Sequence, residues 1–137
     1  PALPAIQSFY AFGMLATGNR AVALTLHCSV AVVACGIAVA VWRTQRDVGT
    51  KAAAAIAACY LATPYVFDHD AVMLAPAAAF LARPGAARWE VTVACFAAML
   101  PAGALFGSGN LYCPAAALIL LALAARRGWQ DQRMMRE

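Results

Sequence analysis

Long apolar blocks, closed by residues that break helices or carry charge, constrain this chain more than any other feature. They occupy residues 21–42, 52–67, 71–82, 89–106 and 111–125. The breaks are Thr17-Gly18-Asn19-Arg20, residues 43–51, Arg83-Pro84-Gly85 and Gly107-Ser108-Gly109-Asn110, all with loop chemistry. An open sheet edge does not survive in lipid, and the blocks lack the alternation of a barrel strand. Only 12% of the 137 residues are charged and 64% are hydrophobic, against about 25% charged in a soluble domain. The expectation is an all-α polytopic transmembrane bundle of about five membrane-embedded helices. Residues 1–20 read as an extracytoplasmic or interfacial segment, 21–125 as the bundle, and 126–137 as a cytoplasmic tail whose polar end, 130–137, frays.

Basic residues set the orientation. If the first block runs from outside to inside, Arg43, Arg46, Lys51, Arg83, Arg88, Arg126, Arg127, Arg133 and Arg136 share one side, and only Arg20 is opposite. The positive-inside rule makes that side cytoplasmic. Trp42, Trp89 and Trp129 then flank the inner ends, with Tyr65 and Tyr112 at the outer ends. The net charge of +4 is thereby explained by topology, and no nucleic-acid partner is expected. No positively charged n-region with a cleavable apolar segment precedes the first block, so no signal peptide is expected. The chain, which opens on Pro1, reads as the C-terminal part of a longer polypeptide. Its alanine and arginine bias points to a bacterial source, hence a plasma-membrane location.

Asp68-His69-Asp70 is the one ionisable cluster set between two such blocks, and charge near hydrocarbon is functional by default. Fourteen helical residues from His69 to Ala82 rise roughly 21 Å, against a hydrocarbon slab about 30 Å thick. Asp70 is therefore expected about 10 Å beneath the outer headgroups, in a cavity open to the outside. Pro64 and Pro76 each remove a helix hydrogen bond beside it. Asp70 is the first candidate for contacting a substrate, by binding a cation, taking a proton or accepting from a sugar hydroxyl. The plainer alternative is that Asp68 caps the following helix and Asp70 steadies its dipole. His69 is either a cation toward phosphate or an interfacial polar residue.

Other residues carry weaker signals. His27, at a similar depth, either pairs with the acids or bonds the backbone of a neighbouring helix, the expected outcome. Thr25 and Ser29 satisfy local carbonyls. Tyr65 is a stacking platform for a sugar or isoprenoid, or an interfacial anchor. The five cysteines, Cys28, Cys35, Cys59, Cys95 and Cys113, have no disulfide or metal spacing and read as small packing residues. No metal and no cofactor is expected. The inner basic residues suit anionic membrane lipids.

The run Ala62-Thr63-Pro64-Tyr65-Val66-Phe67-Asp68-His69-Asp70-Ala71-Val72-Met73-Leu74-Ala75-Pro76 resembles the C-terminal motif of glycosyltransferase family 87, in which a Pro-containing helix end leads to an aromatic "YD" segment and a Leu-rich helix. Gln7-Ser8 is similar to that family's extracytoplasmic Gln-Ser element. The resemblance implies a GT-C-class membrane enzyme. Such an enzyme moves a hexose, usually mannose, from a polyprenyl-phosphate carrier to a lipid or glycan acceptor outside the cytoplasm. On that resemblance Asp70 matches the motif acid and Pro64 the helix-end proline, while Gln7 and Ser8 match the polar pair. With Asp68, His69 and Tyr65, these residues form the expected substrate and carrier contacts. His69 stands where the family usually has Tyr. The family's catalytic Asp belongs to an early extracytoplasmic loop not in this sequence, so the catalytic base is unassigned and this portion alone is expected to be inactive. Two other classes fit the residues: a secondary transporter using Asp68, His69 and Asp70 as an ion or proton relay, and a structural membrane subunit in which the acidic turn is a cap.

Overall fold

The computed structural model of the chain describes residues 6–44, 47–83, 86–105 and 111–134, with only the backbone of Asp68 and of residues 104–105 and 131–134. Arg46, Pro84-Gly85, residues 106–110 and Arg136 lie outside the described residues, as do the side chains of Asp68 and Arg133.

The architecture is all-α. Six α-helices are described: α1 (Phe9–Thr17), α2 (Arg20–Thr44), α3 (Val48–Ala62), α4 (Leu74–Leu81), α5 (Arg88–Met99) and α6 (Tyr112–Met134). Two 3-10 segments, Asp68–Met73 and Leu100–Leu105, lead into α4 and extend α5.

Local chemistry explains the boundaries. Ser8 starts α1, its hydroxyl accepting from the Ala11 N–H at 3.2 Å, and Gly18 ends it in the left-handed region at φ 65, where glycine carries no Cβ penalty. The side chain of Asn19 accepts from the Ala21 N–H at 2.9 Å and so opens α2. Helix α3 stops at Ala62, five residues before the expected end of the second block. Pro64 disfavours helical backbone at Thr63, which is extended at φ −87, ψ 117. The fourth block leaves α geometry at Met99, where Pro101 has no N–H for the next turn.

Helix α3 is the hub, packed against α2, α4 and α6. Its contact surfaces are built on Ala53, Ala54, Ala57 and Ala58, all buried. More than half of the buried apolar residues among those described are alanine, while Val32, Val33, Val39, Trp42, Phe80, Phe96 and Leu118 face outward. Small residues bring helix backbones close: a Cβ on Gly13 would lie 2.8 Å from the Ala23 Cα where α1 crosses α2.

Among the described residues one helix, α2, is long and apolar enough to cross a membrane, with 25 residues, or about 37 Å of rise, and an 18-residue stretch of mean hydropathy 2.2. Only 17% of its apolar stretch is buried, unlike the core helix of a soluble protein. Five spans are not what the helices display individually, because prolines shorten α3 and α5 and charge interrupts α6.

Arg83, Arg126 and Arg127 meet acids at one end of the bundle. Helix α6 continues nine residues past the expected end of its block. Arg127 is buried there, donating to the Leu81 carbonyl at 2.7 Å and to Glu90 Oε2 at 2.8 Å through Nη2, and to Oε2 again through Nε at 3.2 Å. Arg126 donates to Glu90 Oε1 at 3.1 Å and lies 4.2 Å from the Trp89 ring centroid. At the same end Arg83 pairs with Asp47, whose Oδ2 also accepts from the Thr50 N–H and hydroxyl, each at 2.7 Å. Partial burial pushes the Asp47 pKa up, but the Thr50 bonds and the Arg83 charge outweigh it, and the group titrates below its ordinary value.

Two outcomes are expected. Arg127→Met leaves Glu90 half-paired and the Leu81 carbonyl unpaired, lowering unfolding free energy by about 3–5 kcal/mol. Arg126→Met, at a half-exposed partner, costs under about 1 kcal/mol. Denaturant titration of the purified variants checks both. Because folded Asp47 has a depressed pKa, its stabilisation is complete above the unfolded value of 3.8 and is lost as pH falls through the lower folded value. Asp47→Asn therefore flattens the loss of stability below about pH 4, measured by unfolding midpoints across an acid series.

Candidate functional site

Opposite the basic end, the chain leaves α3 in extended form and is caught by the segment preceding α1. The Gln7 N–H donates to the Val66 carbonyl at 2.6 Å, Ile6 bridges antiparallel to Phe67, and the Ser8 hydroxyl donates to the Pro64 carbonyl at 2.7 Å. The two elements singled out in the sequence, Gln7-Ser8 and residues 62–76, thus lie side by side. Gln7 and Ser8 are both buried. Their hydrogen bonds hold the turn in place.

Beyond Phe67 the chain closes one tight turn. Asp70 Oδ2 accepts from the Phe67 N–H at 2.9 Å, and the Asp70 N–H donates to the Phe67 carbonyl at 3.0 Å. Asp70 therefore satisfies a backbone donor at the start of the 3-10 segment, a capping role expected of Asp68, while its side chain stays 45% exposed. Pro76 sits in the first turn of α4, where a missing N–H costs little. The turn before it is 3-10, so no α-helical bond is broken there.

His69 is exposed, with Nε2 3.6 Å from Asp70 Oδ1 and its ring parallel to that of Phe67, centroids 5.6 Å apart. Tyr65 is exposed and meets Tyr10 edge-on at 5.6 Å. Beside Asp70 opens a groove of about 410 Å³ between α3 and the turn, floored by Ile56, Cys59, Tyr60, Val66 and Met73. Its walls are almost wholly apolar, and Asp70 is the single ionisable carboxylate on its rim among the described residues.

His27 does what its isolation on an apolar helix suggested. It is buried, and Nε2 bonds the Ala62 carbonyl at 3.2 Å, tying α2 to the end of α3. A carbonyl only accepts, so Nε2 carries the proton. Thr25 and Ser29 donate to the Ala21 and Thr25 carbonyls. The cysteines differ from expectation. All five are free thiols, but only Cys113 is buried; Cys28, Cys35, Cys59 and Cys95 face outward and fill no core. Among the described residues no group of three or more His, Cys, Asp or Glu side chains is placed to hold a metal. The sequence reading passed over Glu90, Tyr10 and Met73. Glu90 had a visible signal, being an acid two residues after Arg88 in an otherwise apolar helix.

Comparison with family models, curated proteins and solved structures returns no match for this chain.

Ser8→Ala removes both a helix cap and the bond to Pro64. It should cost about 1 kcal/mol and speed amide exchange at Val66 to Asp70 without unfolding α3, as hydrogen–deuterium exchange will read.

Proposed function

We propose that this chain is the C-terminal, substrate-holding part of a membrane-embedded hexosyltransferase that takes a sugar, mannose by resemblance, from a polyprenyl-phosphate carrier and passes it to a lipid or glycan acceptor. In this reading the bundle lies in a bacterial plasma membrane, with the segment before α1 outside and the basic end of α2, α5 and α6 in the cytoplasm. An alanine interior with a large-residue exterior suits a lipid surround, where bulky apolar side chains lose nothing by facing outward. The 3-10 segment and α4 together rise about 24 Å, less than the hydrocarbon thickness of about 30 Å. Anchored by Arg83 at the inner boundary, they leave the acidic turn below the outer surface.

The observation that carries the reading is a half-exposed carboxylate at the mouth of an apolar groove. That pairing accepts hydrogen bonds from sugar hydroxyls while an alkyl chain lies against the groove floor. The adjacency of Gln7-Ser8 to the Pro64–Asp70 run adds support, because both belong to the resemblance with glycosyltransferase family 87.

In the full-length protein, Asp70→Asn should lower kcat/KM for transfer from polyprenyl-phosphate-mannose at least tenfold, about 1.4 kcal/mol, with expression and unfolding midpoint retained. Unchanged transfer removes Asp70 from the mechanism. Proton-coupled solute uptake into proteoliposomes, with no sugar transfer, replaces the enzyme by a transporter.

A further inference from the structure

The electrostatics of the groove narrow what it can hold. We infer that the groove beside Asp70 seats an uncharged, hydroxyl-bearing amphiphile and not an anionic phosphate lipid; within the proposed transferase it is the acceptor's site, separate from that of the carrier phosphate. The name "acceptor" rests on the proposed function, whereas the binding chemistry does not.

Among the described residues no Lys or Arg lines the groove. Arg83 is engaged by Asp47 at the far end of the bundle, and Arg126 and Arg127 share Glu90 there. Arg20, at the start of α2, belongs to the same end of the bundle as the groove but is not among the residues that line it. A phosphate at the mouth would therefore face the Asp70 carboxylate across a low-dielectric wall, where like charges repel strongly. The imidazole of His69 lies 3.6 Å from the Asp70 carboxylate and is already engaged by it.

A neutral polyol head meets the opposite situation. Asp70 Oδ2 is bound to the Phe67 N–H, which fixes the carboxylate, and the side chain stays 45% exposed, with Oδ1 3.6 Å from His69 Nε2, able to accept from hydroxyls. Charged acceptors make the stronger hydrogen bonds. Tyr65, Phe67 and His69 are exposed on the chain flanking Asp70, though they do not line the groove, and aromatic rings suit the apolar CH face of a sugar ring. Below them Ile56, Cys59 and Met73 offer a floor with no polar demand, so an alkyl tail fills it without stranding a hydrogen-bonding group. Charge complementarity, a fixed acceptor and an apolar floor all select the same ligand class.

The test uses the chain in phosphatidylcholine nanodiscs and an alkyl glucoside carrying a diazirine on its tail. Photolabelling is expected to concentrate on residues 55–73. Octyl glucoside should compete at least tenfold better than dodecyl phosphate, and Asp70→Asn should weaken capture at least fivefold. Met73→Trp keeps the Asp70 cap and fills the groove, so it should abolish labelling with an unchanged unfolding midpoint. The inference fails if dodecyl phosphate competes as well as the glucoside. It fails equally if label spreads over the whole apolar exterior, as for a general acyl-chain surface, or if neither substitution alters capture. A protein that captures the glucoside through Asp70 yet transfers no sugar at full length would contradict the enzyme reading while upholding this ligand class.

Discussion

Alanine along α3 sets the distance at which every other helix can sit. Ala53, Ala54, Ala57 and Ala58 are buried, and α2, α4 and α6 close on them. The interior takes leucines such as Leu74, Leu81, Leu120 and Leu121 beside the alanines, while Val32, Val33, Val39, Trp42, Phe80 and Phe96 lie on the exterior. In water such an exterior would form apolar patches far larger than a soluble monomer normally shows. In lipid it carries no penalty, and association rests on backbone-level packing and a few polar ties. One constraint thus shapes both the interior and the medium that the exterior suits.

The polar ties occur at the two ends and act on the same short element. Arg127 bonds the last turn of α4 through the Leu81 carbonyl while held by Glu90. At the other end the segment before α1 fixes Pro64 and Val66, just ahead of the turn that starts the 3-10 segment. Helix α4 has only eight residues and little surface of its own. Its position, and with it the position of Asp70, follows from these two anchors. His27, bonded to Ala62, steadies the end of α3 from which the turn departs. The groove is therefore backed by fixed backbone, which is what a binding site needs if its carboxylate is to meet a ligand without reorganising.

Much of this was legible in the residues. Apolar blocks announced helices, Gly18 and Pro64 marked where chain direction changes, and the isolated His27 found the backbone partner expected of it. The acidic turn was visible, but the cap expected of Asp68 is made by Asp70, whose side chain stays half-exposed. Three features were hidden for physical reasons. Helix α1 has nine residues, too few to cross a membrane, so its apolar character read as an interfacial segment even though Ser8 and Gly18 were caps in plain sight. The extension of α6 through Arg126 and Arg127 depends on Glu90, which lies 36 and 37 residues away along the chain. Local patterning sees only two arginines and suggests a loop. The burial of Gln7 and Ser8 depends likewise on a pairing with Val66 and Pro64 that sequence spacing does not encode.

The central claim is geometric: an acid-bearing turn lies at one face of a membrane-embedded bundle and the basic helix ends at the other. Side-specific cysteine labelling tests it directly, in a variant whose five native cysteines are replaced by alanine and which carries His69→Cys or Arg88→Cys, in sealed, oriented vesicles. The account predicts that a membrane-impermeant maleimide labels position 69 only from the extracytoplasmic side and position 88 only from the cytoplasmic side. Labelling of both positions from one side, or of neither until the membrane is dissolved, would contradict it.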